Sequence, residues 1–355
     1  MLLPLAAVLA ARAARYGGDD PLANLEVVDV ADPVAGPGEA LVAVAAASLN
    51  HHDLWTLRGV GSRPLTQPQV LGCDAAGTVL HYGGARAEGS PAPGSAVVVH
   101  AVMTCGHCPA CRGGDELRCP RIGLLSEPPH PGTLAELLVV PAANLVALPP
   151  GVDAVTAACL PTAYLTAYRM LFVRAALRPG QRVLVQGATG GVASAAILLG
   201  AAAGLTVFAT SRDEAKRKAA LELGAAAAFG TDRAAAGQVA AASDGGVDAV
   251  LETVGEATWD LSLRVLRPGG TVVVSGATSG PNPPAQLNRI FWRHLTVAGS
   301  SMGTREELGR LVQLCAVGTL RPLVDSVRPL TAAVAAFAEL ASGRRLGKLV
   351  VAPRP

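Results

Sequence analysis

From Arg178-Pro-Gly180 onward, short apolar runs alternate with Ala- and Leu-rich stretches of helical character, and that alternation builds a parallel sheet. The runs are Val183-Leu-Val-Gln186, Leu205-Thr-Val-Phe-Ala209, Val247-Asp-Ala-Val-Leu251, Thr271-Val-Val-Val-Ser275 and Leu295-Thr-Val-Ala-Gly299. The first enters Gly187-Ala-Thr189-Gly190-Gly191-Val192-Ala193 and then a helix predicted over 194–203. Strand, glycine turn and helix in that order are the context in which a dinucleotide binds. Gly187 permits the tight turn, while Gly190 and Gly191 let the backbone approach a pyrophosphate whose charge rests on the helix N-terminus. Ala193 stands where the generic pattern has a third glycine, which a close helix–strand contact tolerates. Thr189 and Val192 belong to the same loop, and Gly276, just past the fourth run, is a further cofactor-binding candidate.

The second run ends in Thr210-Ser211-Arg212-Asp213, with Lys216 one helical turn on. A carboxylate at this tip would grip the ribose 2′-hydroxyl of NAD, whereas the hydroxyl of Ser211 and the cations of Arg212 and Lys216 suit a 2′-phosphate. NADP(H) is therefore the expected cofactor. Asp213 reads as the N-cap of a helix beginning at Glu214, with a ribose contact as the alternative.

Four of the seven cysteines fall in Cys105-Gly-His-Cys108-Pro-Ala-Cys111 and Cys119. Four thiolates at this spacing can enclose one tetrahedral Zn²⁺ with no open position, so such a site holds a loop and does no chemistry. Gly106, Pro109, Gly113 and Gly114 supply turns, and Arg112 and Arg118 can offset the anionic centre. A disulfide framework is the competing reading, but a chain of 355 residues without a secretory signal has little need of one. Cys159 and Cys315 read as small buried hydrophobes.

Residues from about 25 to 150 form short strands separated by Gly/Pro turns, for example Ala40–Val44 after Gly36-Pro-Gly38 and Ser95–His100 after Pro91–Gly94. This spacing favours a β-barrel-like domain. The pattern changes near Pro161. After residue 300 come a helical stretch, Glu306–Val317, and a terminal strand, Lys348–Ala352, while the runs Ala201–Ala203 and Ala225–Ala228 fall in helix and turn contexts. The net charge of +2 argues against a nucleic-acid or polybasic membrane surface. The apolar opening, Met1 to Ala11, has no basic residue ahead of it and leads into the strand Leu25–Val30, so a first strand of a soluble, cytoplasmic protein is expected.

Several further landmarks lie in order along the chain: Leu49-Asn50-His51-His52-Asp53, Leu71-Gly-Cys-Asp-Ala-Ala-Gly77, Gly132-Thr-Leu-Ala-Glu136, Leu165-Thr166-Ala-Tyr168, Leu266-Arg-Pro-Gly-Gly270 and Gly347-Lys348. Together with the cysteine lobe and the glycine turn they resemble the medium-chain dehydrogenase/reductase superfamily, which includes zinc alcohol dehydrogenases and quinone oxidoreductases. The resemblance implies an α/β protein: a GroES-like β-barrel catalytic domain over 1–161 and 301–355, its zinc lobe at 105–119, interrupted by a Rossmann doubly wound parallel sheet over 162–300. It also implies an active site in the cleft between them, Lys348 among the cofactor-binding residues, and a homodimer formed through the edge strand Leu295–Gly299.

The alcohol dehydrogenases of that superfamily hold a catalytic zinc at positions that here read Asn50, Cys73 and Thr162. Asn and Thr are poor Zn²⁺ ligands, and one thiolate cannot hold the metal alone. A rearranged site using His51, His52 and Cys73 is the alternative. The Asn50-x-x-Asp53 pattern is similar to the zinc-free quinone oxidoreductase branch, most of which lacks the cysteine lobe. Without a Lewis acid, hydride transfer to an electron-poor alkene or quinone is easier than ketone reduction, because the substrate's own conjugated carbonyl accepts the charge. The expected activity is an NADPH-dependent quinone or enone reductase acting on a small molecule. Asn50, His51 and His52 line its pocket, near Trp55, Leu124–Pro129 and Phe291–Trp292, and Thr166 lies near the nicotinamide. His52 stands where the zinc enzymes have the Ser/Thr of their proton relay, and a His there can donate a proton near neutral pH; Tyr164 is a second donor. The rivals are a zinc-dependent alcohol dehydrogenase, a biosynthetic enoyl reductase, and a non-catalytic NADPH-binding sensor.

Overall fold

A computed structural model describes residues 7–60 and 65–353, so the first six residues of the apolar opening lie outside the described part. The chain divides into two compact units, Met1–Thr162 with Gly303–Pro355, and Ala163–Met302.

In the first unit the strand Glu39–Ser48 is buried along most of its length, so it needs a partner on each edge. Asp74–Tyr82 runs antiparallel along one edge, and Leu137–Pro141 and Lys348–Ala352 share the other. Beyond these the sheet continues through Ala96–Val99 and Leu145–Ala147 on one side and through Val324–Pro329, a parallel neighbour, on the other. A smaller antiparallel sheet joins Leu25–Ala31, Ala7–Ala13 and Gln69–Val70. This is the β-rich half that the Gly/Pro spacing predicts. Among the elements that escape that reading are the helix His51–Leu57, the strand Val324–Pro329 and the helix Ala333–Ser342.

In the second unit six strands are all parallel. Their order across the sheet is Ala227–Phe229, Thr206–Thr210, Arg182–Gln186, Val247–Glu252, Leu266–Val274 and Thr296–Gly299. The order reverses between Arg182–Gln186 and Val247–Glu252, the topological switch point of a doubly wound sheet. The Ala225–Ala228 run, expected in helix and turn, instead contributes the edge strand Ala227–Phe229, because parallel pairing with Thr206–Thr210 outweighs the weak strand preference of alanine. Leu184, Phe208, Val250, Trp259, Leu263 and Val272 form the core beside the sheet. The helix Gly191–Ala202 packs so closely that a Cβ at Gly200 would lie 2.7 Å from the Val207 side chain. Among the described residues no helix is long and apolar enough to cross a membrane.

Candidate active site and metal lobe

Cys108 caps the short helix Pro109–Arg112, which turns Cys111 back toward it, and the sulfurs of Cys108 and Cys111 are 3.5 Å apart. The ligand atoms of Cys105, Cys108, Cys111 and Cys119 all lie within 4.8 Å of one another. Backbone N–H groups point at the sulfurs: Cys105 and Arg121 donate to Cys119 Sγ at 3.4 Å each, and Cys111 donates to Cys108 Sγ at 3.5 Å. The backbone N–H of His107 acts in the same sense and draws the Cys105 thiol down to about 5. Donors aimed at sulfur favour thiolate, the form that binds metal. The donor set fits a closed tetrahedral zinc site.

A different arrangement occupies the interior of the first unit where the strands Glu39–Ser48, Asp74–Tyr82 and Lys348–Ala352 meet. Lys348, 1% exposed, sends its ammonium inward to Leu49 O at 2.9 Å, to Asn50 Oδ1, and to Asp74 Oδ2 at 3.4 Å. Asn50 Nδ2 donates to Asp74 Oδ2 at 2.8 Å, Thr162 Oγ1 donates to Asp74 Oδ1 at 2.6 Å, and Ser48 Oγ donates to Asp74 Oδ2 at 2.9 Å. The buried carboxylate of Asp74 is thus fully satisfied by one cation and three neutral donors, as a charge in a low-dielectric interior requires. Lys348, expected among the coenzyme contacts, has its ammonium committed here; all its recorded partners belong to the first unit.

Asn50, Cys73 and Thr162 do come together, but as members of this network. The Cys73 thiol lies 3.4 Å from Thr162 Oγ1 and 3.6 Å from Asn50 Nδ2. Burial first, then the carboxylates of Asp53 and Asp74, push that thiol well above its ordinary range. Burial likewise raises Asp53 to about 7, against the opposing hydrogen bond from the Asn50 N–H at 2.7 Å. A neutral thiol, an amide, a hydroxyl and a fixed ammonium do not suit a catalytic zinc, which needs anionic or imidazole donors and repels a cation. Among the described residues the four-cysteine lobe is the one group of His, Cys, Asp and Glu close enough to hold a metal.

His51 and His52 open the helix His51–Leu57. His51 Nδ1 is 3.4 Å from Arg345 Nη2, and its ring meets Trp55 edge-on at 6.3 Å. Burial of the ring and then the cations of Arg345, Arg58 and Lys348 push His51 down to about 4. His52 Nε2 lies 3.4 Å from Glu127 Oε1 and 3.3 Å from Thr56 Oγ1.

In the second unit Thr166 is buried on the helix Leu165–Tyr168, and Tyr164 is fully buried just before it. The glycine turn follows Arg182–Gln186. Gly187 adopts φ +90°, which a side chain would strain, and Gly190 caps the helix Gly191–Ala202 without a side-chain partner. The first N–H groups of that helix are therefore free to face an anion. Thr189, 1% exposed, has a hydroxyl with no partner among the described residues, an unmet donor of the kind a bound group would satisfy. Val192 is half-buried in the helix's first turn, and at Gly276 a Cβ would meet Thr253 O at 2.9 Å. Below the turn, Thr210 Oγ1 donates to Gln186 Oε1 at 2.6 Å, Gln186 Nε2 donates to Ser262 Oγ at 2.9 Å, and Ser262 Oγ donates to Glu252 at 2.5 Å. This chain links three strand ends to the helix Glu256–Val265, and no local sequence pattern announces it.

At the neighbouring strand tip Asp213 accepts from the backbone N–H of Ala215 at 2.8 Å and of Lys216 at 3.3 Å. It is the N-cap of the helix Glu214–Glu222, so its carboxylate is engaged locally. Arg212 and Arg217 instead line an open groove of about 490 Å³ with Gly230, Thr231 and Asp232. Arg217 escaped the sequence reading; its guanidinium is anchored on Ser211 O at 2.8 Å, which turns it toward the tip. Lys216 sits one position earlier on the same helix.

Comparison with known proteins matches residues 191–316 to the family described as zinc-binding dehydrogenase and residues 36–150 to the alcohol dehydrogenase GroES-like domain. An acryloyl-coenzyme A reductase from Metallosphaera sedula is 31% identical over 92% of this chain and 96% of its own. The solved structure of an NAD-dependent alcohol dehydrogenase superposes with a TM-score of 0.89 at 34% identity, covering 96% of this chain and 99% of that one. That of the 2-octenoyl-CoA carboxylase reductase CinF, in complex with NADP and 2-octenoyl-CoA, gives 0.88 at 26% identity, covering 99% and 88%.

Proposed function

The chain belongs to the medium-chain dehydrogenase/reductase superfamily and is an oxidoreductase, and from that premise we propose that it transfers hydride from NADPH to a quinone or an activated alkene without a catalytic metal. The observation that carries this reading is the Lys348–Asp74–Asn50 network, whose ammonium and neutral donors occupy the ground a catalytic zinc would need. The similarity to an acryloyl-CoA reductase and to an enoyl-CoA carboxylase reductase supports alkene reduction.

NADP(H) as coenzyme is supported by the cations of Arg212 and Arg217 beside the groove, by the local engagement of Asp213, and by the NADP bound to CinF. When bound, the coenzyme supplies the hydride. The glycine turn, with Gly187, Thr189, Gly190, Gly191 and Val192, would receive its pyrophosphate, Ser211, Arg212 and Lys216 its 2′-phosphate, and Gly276 would give it room. His51, His52 and Thr166 would orient the substrate, exclude water and offer hydrogen-bond donors to the oxygen on which negative charge develops, while Asn50, its amide engaged by Asp74 and Lys348, would serve by holding the start of the His51–Leu57 helix in place. Cys105, Cys108, Cys111 and Cys119 would hold one structural Zn²⁺. A homodimer is supported by the outer edge of Thr296–Gly299, which pairs with no further strand among the described residues, and by Phe291 and Trp292 nearby in sequence, which are 62% and 80% exposed. We place the protein in the cytoplasm.

The test is twofold. Protein purified without added zinc should carry one zinc per chain, and NADPH should be oxidised by a panel of quinones, enones and enoyl thioesters. Two firmly held zincs with alcohol oxidation abolished by chelation would reject the reading; binding of NADPH with no turnover across the panel would favour a sensor.

A further inference from the structure

Two adjacent histidines begin the helix His51–Leu57, and their surroundings differ in sign. Arg345, buried and able only to donate, faces His51 Nδ1 at 3.4 Å. Nδ1 must then accept, so the single ring proton sits on Nε2 and His51 stays neutral. Glu127, able only to accept when ionised, faces His52 Nε2 at 3.4 Å. Nε2 must then carry hydrogen, which leaves Nδ1, without a hydrogen bond from any described residue, as the atom that takes up and releases the second proton.

Burial is the strongest influence on His52 and holds it below its ordinary range, and the two nearby carboxylates work against it. Asp74 is the second anion near His52, and with Glu127 it favours the imidazolium against the burial that lowers it. Thr56 Oγ1 shares the Nε2 side at 3.3 Å. Glu127 is flanked by His130 and by Tyr16, whose hydroxyl is shielded from solvent without a partner among the described residues. The side chains of His52 and Glu127 are 24% and 44% exposed, open enough for the pair to exchange protons with water.

We propose that Glu127 is the positioning residue that makes His52, and not His51, the proton source for the reduced double bond. This rests on the reading above that the substrate is an activated alkene. Addition of hydride to the β-carbon breaks the C=C π bond and leaves an enolate. The α-carbon then forms its C–H bond to the proton released from Nδ1, the N–H electron pair remains on nitrogen, and imidazolium becomes imidazole. Water returns the proton. The alkene is reduced by two electrons that come from the reduced nicotinamide, and His52 contributes only the proton.

The experiment compares Glu127→Gln, Glu127→Asp, His52→Gln, His51→Gln and the Glu127→Gln/His52→Gln double variant of the full chain. It reads kcat and KM with NADPH and an enone across pH, and the His52 ring titration by ¹⁵N NMR in the protein without substrate. Glu127→Gln is expected to lower kcat by about 10- to 100-fold, within the range of a general acid, with the KM for NADPH little changed. Removing the anion that favours imidazolium should move both the alkaline limb of kcat and the His52 midpoint to lower pH, and Glu127→Asp should restore part of each. The double variant should be no slower than His52→Gln, and His51→Gln should leave the alkaline limb in place. An unmoved His52 titration in Glu127→Gln, or losses that multiply in the double variant, would overturn the proposal. Absence of turnover by the unaltered protein would remove the alkene reading and the acid role with it, while the titration still judges the pair alone.

Discussion

Replacing Lys348 by Met tests the central network most directly. The side chain is similar in length but carries no charge, so Asp74 would keep its neutral donors and lose its one cation in a fully buried setting. Breaking a buried ion pair by removing one partner costs about 3–5 kcal/mol, because the remaining charge is left uncompensated. In a unit of about 200 residues each kcal/mol moves the melting temperature by roughly 2–4 °C, so a fall of about 6–20 °C is expected. Lys348→Met/Asp74→Asn removes both charges and keeps the shape. Its loss should be well below the sum of the two single variants, the coupling seen between members of one network. Thermal unfolding followed by circular dichroism, with and without a chelator, gives the comparison. If Lys348→Met melts with the unaltered protein, or the double variant shows additive losses, the ammonium is not compensating Asp74 and the argument against a catalytic metal loses its support.

Other outcomes follow from the same geometry. Asp53 has a folded-state pKa raised from 3.8 to about 7, so the folded chain binds this proton more tightly than the unfolded one; its stabilisation is complete below about pH 4 and lost as pH rises through about 7. Asp53→Asn should flatten the pH dependence of stability across that window, and an unchanged slope measured by urea unfolding would refute the assignment. Cys108→Ser should bring the zinc content of the purified protein, measured by plasma emission, to zero and lower the melting temperature; retained zinc would exclude the lobe as the site. Arg212→Ala should raise the KM for NADPH by about 10- to 100-fold, the loss of one charge-assisted hydrogen bond, and leave that for NADH nearly unchanged. An equal effect on both would show that Arg212 does not meet a 2′-phosphate.

What could be read from the chain alone divides by sequence separation. The strand Arg182–Gln186, the glycine turn and the helix Gly191–Ala202 lie within one short stretch, so their apolar pattern and φ requirements are written locally. The cysteine lobe is legible for the same reason. Ala227–Phe229 is not, because alanine favours a strand weakly and only the neighbouring strand makes the choice. The partnership of Lys348 with Leu49, Asn50 and Asp74 spans most of the chain, and a lysine after a glycine gives no local sign that its ammonium turns inward. His52 was visible as a candidate proton donor, whereas Glu127 was covered only by the segment Leu124–Pro129 expected near the pocket, with nothing local to show that its carboxylate meets that ring.

The strand Lys348–Ala352 has a consequence for the order in which the protein is made. It leaves the ribosome long after the strand it seals, for Leu49 N–H bonds to Leu349 O at 2.9 Å and Val350 and Val351 pair with Ser48 and Ala47. The first unit to be synthesised is consequently the last to be sealed, while the contiguous middle unit can close as soon as it emerges. Until Lys348–Ala352 emerges, one edge of Glu39–Ser48 and the Asp74 carboxylate await their partners, which makes the nascent first unit a natural client for chaperones and loss of this one strand enough to leave the unit unsealed.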